Sequence, residues 1–499
     1  ANNFGTLFDF SDGAQTYRNF RDQQHFINCY PFIPYQFTLF QAAIKSLSEH
    51  NAFEGRHSSV GERSMLAVFQ QVSIHIANHE IGQLATFDLM FDGIRTALKS
   101  QFQAAILTAE NHLNSPFSVQ VLKALFLVKY VKGFKPTLHN IAVLMIDRFG
   151  CDMLQLRKHV EEALNLLEQQ TYIQRNGDLY EYLTNEEKDV EEDIKNTDVD
   201  SDAVLAELGK IIFDQVIRDR KIGFDDNKQD FSFSRKMDDQ LLGKEYEIAI
   251  HVISPFNEHF DNEETLRMQS MGRDELLIIL PADNRLVQDL LMFKRTEKYI
   301  QQNISVTQQE SIKRILTEKS FQNRDRSQQL ELRVKNLVTT AKMFVGGSEI
   351  EINSTEPLTR IIKGFQELVR RTYPNLKMLH GINYSENDIE NYLRQSTGTL
   401  FGNDPSTLHE AEQEMLALIQ SNNRGGVRST IKSLVERFEH KPYGWSLAAV
   451  QCNLALLSAH GKVEMRTEGN MLEGIALVKA LKNTQAHEKV VLEPQIEFT

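Results

Sequence analysis

From Phe37 to Leu47 apolar residues recur at helical spacing, at Phe37, Phe40, Ile44 and Leu47. That period predicts an amphipathic helix. The stretch Tyr30-Pro31-Phe32-Ile33-Pro34-Tyr35 precedes it, and its two prolines hold the backbone extended before the helix begins. The pattern breaks between Gly55 and Gly61 and resumes from Glu62 to His79, so residues 1–114 read as a helical region.

Residues 115–185 carry a more specific order. One amphipathic helix runs from Phe117 to Val131, punctuated by Gly133 and Pro136. Thr137 is placed to cap a second, Leu138 to Arg148, and Asp152 a third, Met153 to Gln170. Two short strands around Asn176-Gly177 follow. Three helices and a hairpin are the order of a winged helix. Glu186 to Asp202 is acidic and nearly free of apolar residues, which fits a solvated linker or a charged helix face.

Further on, Glu245 to Pro255 and Asp274 to Pro281 are short apolar runs that predict buried strands. They place an α/β domain, together with the acidic linker, in residues 186–304. Ser305 to Lys342 is a long polar helical pattern, predicted as a helical hairpin or arm within residues 305–400. Residues 401–499 repeat the winged-helix order, ending in a strand near Lys462 to Arg466. The fold class is therefore mainly α with α+β parts, in several domains: a helical region, winged-helix-like modules, a small β-containing middle domain and a long helical arm.

Composition agrees with a multidomain globular chain. Its 499 residues suit roughly three to four domains, with 41% apolar and 25% charged residues. No stretch approaches the ~20 apolar residues of a membrane helix; the run from Val121 to Val131 is broken by Lys123 and Lys129. Three separated cysteines exclude a disulfide framework and a cysteine zinc site. The net charge of −13 removes any global electrostatic case for nucleic acid and leaves only local patches. The first residues, with Phe4, Phe8 and Phe10, read like a protein interior, so an excised piece is expected.

Catalytic chemistry is hard to find. Gly209-Lys210, Gly243-Lys244 and Gly461-Lys462 lack both the following Ser or Thr and the upstream glycine of a phosphate-cradling P-loop. Ala142 to Asp147 imitates a nucleotide-site strand but lies in a helical pattern and reads as core. His75 and His79 have the spacing of two metal ligands on one helix face, yet Ile76 stands where a zinc protease needs glutamate. No catalytic or metal residue is assigned. Arg63, at the start of an apolar helix, either reaches an anionic ligand through its forked guanidinium or pairs with a neighbouring carboxylate.

In the first winged-helix module, Lys132, Lys135, Arg157, Lys158 and Arg175 are candidate DNA contacts, since Lys and Arg neutralise phosphates. Glu161 and Glu162 on the same helix keep a protein–protein spacer open as the alternative. The second module has Arg424, Arg428, Lys432, Arg437 and Lys441, but its third helix is nearly uncharged and suits packing better than base reading.

Several short motifs carry a resemblance. They are Cys29 to Phe37, Gly55-Arg56-His57-Ser58-Ser59-Val60-Gly61-Glu62-Arg63-Ser64-Met65-Leu66, Phe69-Gln70, Thr296 to Ile300 and Lys441-Pro442-Tyr443-Gly444-Trp445. In this order, spread over nearly the whole chain, they resemble the P-loop ATPase of bacterial BREX phage-resistance systems, the BrxC/PglY family. The resemblance implies a larger AAA+-like ATPase with its Walker motifs N-terminal to the matching region, so this chain is expected to be a C-terminal portion. It implies ATP and Mg as cofactors of the full-length protein, with none bound by this chain alone. It also implies a cytoplasmic location and partnership with other BREX components, including a DNA methyltransferase. Duplex DNA is a candidate ligand, and a homo-oligomer is compatible with it. In related ATPases a proline-rich segment opens the lid and a later arginine senses the nucleotide phosphates. That role falls on Arg63, with Arg56 as rival, because Gly61 lies two rather than three residues before Arg63. The alternative is a non-enzymatic scaffold whose winged helices make only protein contacts.

Overall fold

A computed structural model describes residues 6–11, 17–55, 62–394 and 408–495, without the side chains of 62–64. The fold is mostly helical. The chain parts into two compact units, one of Ala1–Asp200 with Leu291–Gln329, the other of Ser201–Leu290 with Leu330–Thr499.

The first unit opens with helices Gln23–Cys29, Pro34–Glu49, Glu62–His75, Leu89–Ile94 and Ser100–His112. Pro34 starts the second of these, where its missing N–H costs nothing. Gln36 is fully buried and satisfied twice, accepting from the Ile33 amide and donating to Ala85 O at 2.6 Å. Helices Pro116–Val128, Leu138–Leu144 and Met153–Gln169 follow, then strands β1 (Ile173–Asn176) and β2 (Leu179–Tyr182). The segment Ala142 to Ile146 is buried core, as its apolar run predicts.

The acidic run takes the helical alternative. Helix Asn185–Asn196 buries Val190, Glu191 and Ile194. A capping box at Thr184 and Glu187 starts it. Its buried face packs on Leu316 of helix Glu310–Thr340, and Glu191 pairs with the buried Lys319 of the same helix. The pattern from Ser305 to Lys342 does not fold back on itself: it holds one helix, Glu310–Thr340, which packs along helix Asn284–Asn303, with Asn323 Nδ2 donating to Phe293 O at 3.0 Å. The first module and the helix after it are thus built together with this arm.

In the second unit, β3 (Lys221–Gly223) and β4 (Asp230–Ser232) form a ribbon. β5 (Ser234–Met237), β6 (Gln240–Leu241), β7 (Ala249–Ile253), β8 (Glu275–Ile279), β9 (Lys342–Val345) and β10 (Ser348–Glu349) form one mixed sheet in the order β10-β9-β8-β7-β5-β6. The two predicted strands are β7 and β8, its fully buried parallel centre, in register from Ala249↔Glu275 to Ile253↔Ile279. Helix Pro357–Thr372 lies on one face, brought close by Gly364, where an added Cβ would stand 2.9 Å from a Leu276 methyl. Leu266 of helix Glu263–Ser270 packs with Ile253, Leu277, Ile279 and Phe344 on the other.

The unit ends in helices Glu410–Arg424, Ile431–Phe438 and Leu447–Ala459, and helix Gly474–Lys482. They surround an antiparallel sheet of β11 (Ser429–Thr430), β12 (Val463–Thr467), β13 (Asn470–Met471) and β14 (Val490–Pro494), ordered β11-β14-β12-β13. Trp445 is its buried anchor, stacked on Phe438 at 4.6 Å and donating its indole N–H to Asn375 O.

Candidate nucleic-acid interface

The first module is framed by three side-chain caps. Ser115 Oγ accepts from Ser118 N, Thr137 Oγ1 from Asn140 N at 3.2 Å, and Asp152 Oδ1 from Leu154 N at 3.0 Å. Each satisfies an orphan amide at a helix start. Tyr180 N donates to Pro136 O at 2.9 Å, and Thr137 bridges Leu179, so the turn that carries Lys135 lies against the wing.

The wing is fixed from beneath by Lys129. Its buried ammonium donates to Glu187 Oε2 at 2.8 Å, Glu181 Oε1 at 3.3 Å and Tyr182 O at 2.6 Å. Burial pulls the Lys129 pKa down, but Glu187 and Glu181 outweigh it, so the net direction is up and the group stays charged. The third helix buries Val160, Ala163, Leu164 and Leu167 against this frame and turns its polar side to solvent.

Lys132 and Lys135 are exposed before the second helix, and Arg157 and Lys158 are exposed on the N-terminal half of the third. Among the described residues none of the four has an ion-pair partner. Glu161 and Glu162 lie on the following turn, so basic and acidic side chains divide the helix along its length. Arg175 differs from the four lysine and arginine neighbours. Its side chain is 11% exposed, stands 3.7 Å from Glu168 and donates to Gly177 O. Arg56 lies outside the described residues, and of Arg63 only the backbone is described, in helix Glu62–His75.

The second module is built to the same order with the opposite exposure. Its third helix is buried from Ala449 to Leu457. Gln451 donates to Leu481 O, and the Cys452 thiol points to Ser385 O. Helix Ile389–Arg394 packs along it. A helix enclosed on all sides by its own chain has no face for a DNA groove. The basic candidates here are also engaged: Lys432 with Glu488, Lys441 with Asp274 at 2.5 Å, and Arg437 over the Tyr443 ring. Arg424 and Arg428 remain exposed.

One buried polar cluster sits in the mixed sheet. His251 Nδ1 lies 3.1 Å from Glu275 Oε1, and its Nε2 lies 2.6 Å from Asp238 O. Asp238 accepts from the amide and hydroxyl of Ser254. Burial pushes the Asp238 pKa up. Glu275 is raised by burial but held down overall, first by its bond to His251. Both residues tie neighbouring strands, and His251 is the packed histidine its place in an apolar strand suggests. No group of three or more His, Cys, Asp or Glu able to hold a metal occurs among the described residues.

These features define a class: a mostly helical multidomain protein in which a six-stranded mixed sheet is followed by a winged helix. Residues 197–368 match the family model described as BREX ATP-binding protein BrxC 4th domain with six-stranded beta sheet. Residues 375–496 match the model described as BREX ATP-binding protein BrxC winged helix-turn-helix domain. The chain belongs to the BrxC family of BREX defence proteins. No solved structure matches it. No helix among the described residues is long and apolar enough to cross a membrane.

Proposed function

We propose that this chain is the ligand-contacting part of a BrxC-family AAA+-like ATPase, acting in the cytoplasm within the BREX defence complex. ATP and Mg are handled by a P-loop core outside these 499 residues. Residues 1–114 serve as the lid, with Arg63, or Arg56 in its place, sensing the nucleotide phosphates. The first winged helix docks on duplex DNA through Lys132, Lys135, Arg157 and Lys158. Arg175, held by Glu168, braces the wing rather than touching phosphate. The DNA methyltransferase of the system is the expected neighbour.

The observation that carries this reading is the contrast between the two third helices. One presents an unengaged polar face and the other is enclosed. ATP turnover moving the lid would reposition the first module, since both lie in one compact unit. The test is a duplex titration across salt concentrations: affinity should fall steeply with salt, whereas no binding at low salt defeats it.

The enclosed helix favours a second role for the C-terminal module. It acts as a protein-contact element, and in an adaptor reading both modules do.

A further inference from the structure

The outward face of helix Met153–Gln169 has a chemistry that charge counting hides. At 100° per residue, Gln155, Lys158, Glu162 and Asn165 project away from the buried line of Val160, Ala163, Leu164 and Leu167. All four are exposed, and among the described residues no hydrogen bond or ion pair engages their side chains. Leu154 stands at the head of the same face, 80% exposed.

A face evolved only to hold phosphate needs cations. This one carries the side chains that discriminate base edges. Gln and Asn make paired bonds to adenine N6 and N7, Lys donates to guanine, Glu accepts from cytosine N4, and an apolar group meets the thymine methyl. Glu162 repels phosphate, which argues against non-specific binding but not against a cytosine contact. The positions from Leu154 to Asn165 span about 16 Å, or roughly five base-pair steps. Lys132, Lys135 and Arg157, off this line, are free for the flanking phosphates. Phe117 fixes the flank by stacking on His159 at 4.0 Å.

We infer that this helix reads sequence: its ligand is duplex DNA with a preferred site of about five base pairs, and Gln155, Lys158, Glu162 and Asn165 set the preference. This rests on the DNA reading of the first module.

The test selects duplexes from a randomised pool with the 499-residue chain, then measures affinities for Gln155→Ala and Asn165→Ala. Both side chains are exposed, so circular dichroism should be unchanged. A shared motif is expected, and each variant should lose about 10- to 100-fold discrimination at one position while keeping the salt slope. Binding that is equal for all sequences, or a preference that both variants retain, overturns this inference and leaves the DNA reading standing. No binding to any duplex at low salt defeats the DNA reading itself.

Discussion

Asp88 shows how one buried side chain contributes to the pH response of the first unit. It is buried, its Oδ1 has no hydrogen-bond partner among the described residues, and burial raises its pKa to about 6. The bond from Thr86 and the charge of Lys123 offset only part of that. The folded state thus prefers the protonated acid. Its stabilising contribution is full below about pH 4 and is lost as pH rises through about 6. Asp88→Asn stays neutral throughout. It should raise stability at pH 7.5 by about 2–3 kcal/mol and change little at pH 4, as read by urea unfolding at the two pH values. Lys129 sets the opposite case. Lys129→Met takes from the buried Glu187 carboxylate its only cation among the described residues, leaving the capping bond from Thr184 N, and takes the same cation from Glu181; urea unfolding should show a loss of about 3–5 kcal/mol. A loss under 1 kcal/mol would mean that the wing does not depend on this cation.

Among elements, those that bury a continuous apolar surface were legible and those that borrow their burial from neighbours were not. β7 and β8 are apolar nearly throughout, which is why their runs announce buried strands. β5 reads Ser234-Arg235-Lys236-Met237, and its pairing with β7 and β6, not its own pattern, makes it a strand. β6 and β10 are two-residue edges with no period to detect. The acidic helix was ambiguous for a similar reason: Glu191 is a core residue only because Lys319, far along the chain, pairs with it. The exposed face of Gln155, Lys158, Glu162 and Asn165 was hidden among opposite charges, since exposure and the lack of partners, and not residue type, set it apart. A turn, by contrast, can be tested at once. Gly444 has φ of +63°, and a Cβ there would lie 2.5 Å from the Tyr373 ring. Gly444→Ala should cost about 3 kcal/mol, from left-handed strain plus overpacking, visible as a lowered unfolding midpoint.

At the scale of the molecule, a net charge of −13 coexists with a local cationic edge on one module. Electrostatic attraction to DNA therefore stays confined to that edge, and non-specific affinity should be modest. The family assignment places a six-stranded domain and a winged helix side by side in sequence, at residues 197–368 and 375–496. The segment read as the DNA-facing module, residues 115–185, lies before both. The chain alone should show no ATP turnover above background in a phosphate-release assay, and robust turnover would contradict a separate P-loop core.

The central claim is that the first winged helix, and not the second, meets DNA. Salt titrations of one duplex should compare the chain with Lys132→Ala/Lys135→Ala/Arg157→Ala/Lys158→Ala and with Arg424→Ala/Arg428→Ala. The first variant should flatten the slope of log affinity against log salt by about 3, from the three phosphate contacts it removes, and the second should leave it unchanged. An unchanged slope in the first variant, or the larger loss in the second, would contradict the account.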